Sequence, residues 1–123
     1  MKRIHFLRIL LIFFFLFAGA NHFINPNFYF DQIPPYFNDK EFINYASGII
    51  EIVLAFGLIF PRTRMLSSIG IILLMTAFIP THWYVIEQKG CLPSAYCVPI
   101  WAAWLRLIIL QPLFIYWAWV VRK

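Results

Sequence analysis

Residues 43–60 read INYASGIIEIVLAFGLIF, a run with no proline and one charged side chain, Glu51. As an α-helix at 1.5 Å per residue it covers about 27 Å, close to the ~30 Å hydrocarbon core of a bilayer. The rest of the chain favours lipid as the solvent for such a helix. Of 123 residues, 63% are apolar, 20% aromatic and only 12% charged. A soluble protein of this size has a large exposed fraction and needs far more polar surface than this.

Working outward, three further stretches have the length and apolarity of a span: residues 4–23, 65–85 and 99–121. Pro80 is expected to kink or end the third, Pro99 stands at the first turn of the fourth, and Pro112 is expected to kink it. The sequence therefore predicts an all-α protein, a four-helix integral membrane bundle forming one domain over residues 1–123. Lys2 and Arg3, an apolar run and then Ala18-Gly19-Ala20 imitate a secretory signal, but with three more spans following, an uncleaved first helix is expected.

Basic residues set the orientation. With the amino terminus inside, Lys2, Arg3, Arg8, Arg62, Arg64, Arg122 and Lys123 fall on the cytoplasmic side, and only Lys40 and Lys89 fall outside. This asymmetry predicts a multi-pass protein of the plasma (inner) membrane with both termini cytoplasmic. Arg8, within the first turns, is expected to snorkel to the headgroups. The net charge of +5 reports this topology, so nucleic acid is not an expected partner; the lipid bilayer is.

The connections differ in kind. Pro61-Arg62-Thr63-Arg64 alone joins the second and third spans, which must then be antiparallel neighbours. The segment from Asn25 to Phe42 is long and carries Phe28, Tyr29, Phe30, Tyr36 and Phe37. It reads as an aromatic interfacial loop, serving either as a lid over the bundle or as a belt that only sets depth.

Candidate site residues cluster towards the outside. Glu51 lies about 12 Å deep from the start of its span and Arg106 about 10 Å deep from Pro99. An unpaired charge at such depth costs roughly 2.5 to 3.5 kcal/mol, so the two are expected to pair directly or through water, as a helix clamp or as a substrate or proton site. Ser47, Gly48 and Ala55 give Glu51 a small-residue helix face that points it inward. Gln111, five residues beyond Arg106, is rotated away and is expected to reach a different neighbour. Asn21 and His22 close the first span, and Thr81 and His82 come late in the third. No metal is expected, since the histidines occur singly without H-x-x-x-H or H-E-x-x-H spacing; their expected place is the rim of the polar cluster.

Cys91 and Cys97 flank a five-residue stretch in the second outer segment. In an oxidising compartment a structural disulfide is the expectation. A redox-active pair, which the tighter C-x-x-C spacing would favour, and two free thiols are the other readings. No G-x-S-x-G, phosphate loop, G-x-G-x-x-G or haem-attachment motif occurs, so hydrolysis and nucleotide chemistry lack support.

Taken in order, Ala18-Gly19-Ala20-Asn21-His22-Phe23 with Pro26, Ile33-Pro34-Pro35, Ser47 to Ile52, Gly57 to Arg64, and Arg106-Leu107 with Gln111 resemble the DoxX-like membrane proteins. The resemblance implies a four-helix bundle with Asn21, His22, Glu51 and Arg106 as hallmark residues. That family is named for a subunit of a thiosulfate:quinone oxidoreductase, which implies thiol-redox or membrane-assembly partners. Two function classes follow. One is a redox-linked accessory subunit holding a quinone or small sulfur compound among Asn21, His22, Glu51, His82, Arg106 and Gln111. The other is a non-enzymatic assembly factor or structural subunit. No cofactor attachment is evident, quinone is the candidate ligand, and oligomeric state is left open.

Overall fold

The computed structural model describes residues 1–92 and 97–123. Its helices are α1 (Lys2–Ile24), α2 (Pro26–Phe30), α3 (Lys40–Ile59), α4 (Arg64–Ala77), α5 (Ile79–Glu87), α6 (Ile100–Leu105) and α7 (Gln111–Val120), with a π-helical turn, Arg106–Leu110, joining α6 to α7. Four continuous paths are long and apolar enough to cross a membrane: α1, α3, α4 with α5, and α6 through α7.

Each boundary has a local cause. Asp39 caps α3 by accepting the backbone N–H of Phe42 at 3.0 Å. The third span breaks at Phe78 because Pro80, in the first turn of α5, has no N–H to continue the ladder. Pro112 likewise has no N–H for the carbonyl of Ile108, and the turn before it widens so that Gln111 N–H bonds to Arg106 O, five residues back. The segment between the first two spans is not wholly a loop: Pro26 pre-sets the first turn of α2.

α1 packs most extensively on α3, and Gly19 and Gly48 make that crossing. A Cβ on Gly19 would stand 2.8 Å from Gly48 O, and one on Gly48 would stand 2.8 Å from His22 Cβ. Only glycine allows the backbones this close. The small residues that imitate a cleavage site thus have a packing role.

At the end that holds both termini, Leu11, Phe15, Ala55, Leu58, Ile71, Phe114, Ala118 and Val121 form the apolar core. Arg8 packs beside it: the residue is buried, and its guanidinium donates to Val121 O at 3.1 Å and to the backbone oxygen of Lys123. The last carbonyls of a helix lack intrahelical donors, and Arg8 supplies one to Val121, just past the end of α7. Trp117 Nε1 donates to Leu7 O at 2.9 Å, tying the same two spans together. The large apolar side chains left outside, such as Phe13, Phe17, Val53, Leu73 and Ile108, form the bundle's outer surface, as lipid-facing positions do.

Candidate functional site

Away from the termini the spans part around a cavity of about 520 Å³. Its walls are mostly apolar and aromatic, with Phe14, Phe15, Phe28, Phe37, Met75 and Phe78 among them. The polar lining is His22, Tyr29, Gln32, Asn44, Ser47, Glu51, Thr81, His82 and Arg106. Phe28, Tyr29, Gln32, Ile33 and Phe37 come from the segment between α1 and α3, so that segment forms part of the cavity wall.

The polar residues of α3 reach the cavity through helical periodicity. Asn44, Ser47, Gly48, Glu51, Ala55 and Leu58 recur at three- and four-residue spacing and make up its buried face. The Gly19–Gly48 crossing then sets His22 of α1 against Glu51. Their side chains meet at 3.3 Å between Nε2 and Oε2, with His22 6% and Glu51 4% exposed. Asn44 grips His22 twice, by Nδ1···Oδ1 at 2.7 Å and by Nδ2 donating to His22 O at 2.9 Å. Tyr29 stacks on the imidazole, centroids 3.8 Å apart and planes at 17°. Asn21 orients that ring by donating to the Tyr29 hydroxyl at 2.9 Å. Burial raises the Tyr29 phenol above its ordinary range, against the lowering effect of the Asn21 hydrogen bond, so it stays neutral near pH 7.

Arg106 lines the same cavity. Its Nη1 donates to Gln111 Oε1 at 2.6 Å, and its guanidinium lies over the Phe114 ring at 5.4 Å. Gln111, almost fully buried, also donates through Nε2 to Met75 O, near the break in the third span.

The expected direct Glu51–Arg106 contact is corrected: among the described residues Glu51 meets His22 and Arg106 is held by Gln111. Both line one cavity, so pairing through water stays an expectation. Similar depth does not fix rotation about the helix axis. Gln111 is likewise corrected in part: it does reach another helix, yet it also holds Arg106. An α-helix would rotate it about 140° from Arg106, and the π turn removes most of that offset.

Of the expected site residues, His22, Glu51, His82 and Arg106 line the cavity, whereas Asn21 and Gln111 stand behind it as supports. His82 Nε2 is buried there without a hydrogen-bond partner. Among the described residues no three of His, Cys, Asp and Glu converge as a metal-ligand set. Asn44 and Tyr29 were missed. Asn44 had a signal, since it precedes Glu51 by seven residues and so shares its face, but Tyr29 had none in an aromatic-rich segment.

Cys91 and Cys97 are joined in a disulfide. Val98 N–H donates to Gly90 O at 2.8 Å beside it, and Leu92 and Val98, next to the two cysteines, line the cavity. The residues between them, 93–96, lie outside the described residues.

A family model described as Domain of unknown function (DUF8561) matches residues 11–122, nearly the whole chain. The chain belongs to that family. No curated protein and no solved structure matches it. The matched range contains every residue that shapes the cavity.

Proposed function

We propose that the chain is a DoxX-type subunit of the inner membrane whose cavity binds a quinone headgroup or a small sulfur compound, in service of a redox-linked complex. One observation carries this reading: a cavity of about 520 Å³ with aromatic walls and polar groups converging from α1, α3, α5 and the π turn. Ligand sites typically have ~300 to 1,000 Å³ and this mixture of apolar walls and few oriented polar groups. A quinone ring is flat and apolar on its faces, with carbonyl oxygens at opposite edges. The aromatic walls suit the faces, and Arg106 supplies a donor that never loses its charge.

In this reading both termini are cytoplasmic, the cavity lies in the outer half of the membrane, and α2 with the following turns lies in the headgroup interface. Reporter fusions after Arg64 and Lys123 then read cytoplasmic, and one near Lys89 reads external. The second class, a non-enzymatic assembly factor, draws on the fact that Gln111, itself held by Arg106 of the same span, ties the fourth span to α4 through Met75 O.

The deciding experiment is titration of the protein in phosphatidylcholine nanodiscs with a decyl-substituted benzoquinone, followed by quenching of tryptophan fluorescence. Trp83 and Trp104, an edge-to-face pair 6.1 Å apart, are neighbours of cavity residues His82 and Ala103. Saturable quenching that disappears in Ala102→Leu supports the quinone site. Quenching identical in the two proteins reflects quinone dissolved in lipid and contradicts it.

A further inference from the structure

The hydrogen bonds around His22 fix where its protons are. Asn44 Nδ2 donates to the His22 backbone carbonyl, and a carbonyl only accepts, so the amide orientation is determined. Asn44 Oδ1 therefore faces His22 Nδ1 at 2.7 Å. An amide oxygen also only accepts, so Nδ1 carries a hydrogen. What is left to vary is Nε2, 3.3 Å from Glu51 Oε2.

If Nε2 were a bare lone pair and Glu51 ionised, two acceptors would oppose each other in a site where both side chains are more than nine-tenths buried. No other group relieves them, because Oε2 has no hydrogen-bond partner. One proton resolves the conflict, either on Nε2 as an imidazolium–carboxylate pair or on Glu51 as a carboxylic acid. Both arrangements hold the same number of protons.

We infer that His22 and Glu51 form a single-proton site, in which one proton is held between Nε2 and the carboxyl and Asn44 is the positioning residue that keeps Nδ1–H fixed. Both residues line the cavity, which places this proton beside the quinone site proposed above, and its ligand rests on that reading.

The other groups facing the pair do not titrate with it. Tyr29 of α2 stacks on His22 and stays a neutral phenol, and Arg106, which lines the same cavity, keeps its charge. His82 of α5 lines the same cavity but offers its own separate nitrogen. Asn44 and Ser47, the other polar cavity residues of α3, carry no titratable group.

The test is nitrogen NMR of protein labelled at the imidazole nitrogens, in phosphatidylcholine nanodiscs, with decyl-benzoquinone and decyl-benzoquinol as probes. Only His5, His22 and His82 contribute, and loss of a signal in His22→Gln assigns the relevant one. In the empty protein Nδ1 of His22 is expected to be protonated, and carbon NMR of the Glu51 carboxyl, assigned by its loss in Glu51→Gln, is expected to show a proton on the carboxyl whenever Nε2 lacks one. In Asn44→Leu the Nδ1 preference is lost; if that variant does not fold, the wild-type signals decide alone. An unprotonated Nδ1 in the wild type overturns the inference, as does an unprotonated Nε2 found together with an ionised Glu51. Failure of both probes to bind overturns the quinone reading, while the proton site is still decided by the signals of the empty protein.

Discussion

Near the termini the four spans close on Leu11, Phe15, Ala55, Leu58, Ile71, Ala118 and Val121, with the small hydroxyls of Ser67 and Ser68 and the guanidinium of Arg8, which donates to the Val121 carbonyl, as the buried polar groups. Farther along the same helices they part around His22, Asn44, Glu51 and Arg106. The helix irregularities gather in the open part: the break at Phe78, the π turn after Leu105 and the short α2 all border the cavity. In lipid, a freed backbone group is tolerated where protein or a cavity can satisfy it, so interruptions and polar side chains collect together. One end of the bundle is packed shut and the other encloses a cavity.

The largest expected effect comes from breaking the buried pair. His22→Leu leaves Glu51 without its partner and should cost about 3 to 5 kcal/mol, whereas His22→Leu combined with Glu51→Leu should be much milder. Thermal unfolding of both singles and the double in nanodiscs measures the coupling. Single losses that simply add would show that the 3.3 Å contact carries no energy, and the open end would then be no more polar in its energetics than the closed one.

That prediction marks where sequence reading stopped. The four spans were legible because hydropathy over twenty residues is a strong signal, and the inward face of α3 followed from Ser47, Gly48, Glu51 and Ala55. The partner of Glu51 was not legible. Arg106 and His22 both sit near its depth, and only the Gly19–Gly48 crossing turns His22 towards it. The link from Gln111 to Arg106 was hidden for another reason: periodicity assumes 3.6 residues per turn, and Pro112 spoils that count just there. Pro112 itself was visible, so a kink was foreseen but not the rotation it brings.

Adding volume sharpens the comparison. Ala55 is fully enclosed in the closed end, and Ala55→Leu should cost about 1 to 3 kcal/mol by overpacking. Ala102 lines the cavity, and Ala102→Leu should change stability by less than about 0.5 kcal/mol, because the new atoms enter existing space. Denaturation midpoints of the two variants check the contrast. Equal losses would mean that the cavity collapses and is not maintained by the fold.

A smaller effect is expected in the segment between α1 and α3. Tyr29→Phe keeps the stack on His22 but removes the acceptor of Asn21, which should cost about 0.5 to 1.5 kcal/mol. Proteolysis within residues 25–39 should accelerate in this variant while α1 and α3 remain protected. Unchanged cleavage would show that this segment is held by other contacts.

The central claim is that the open end is a ligand site, and the most direct test is native mass spectrometry of protein extracted gently from its own membrane, wild type beside Ala102→Leu. The account predicts a small-molecule mass retained on the wild type, with the isotopic mass and reducible spectrum of a quinone, and its loss from the filled variant. Wild-type protein that carries nothing, or a mass retained equally by both proteins, would contradict it.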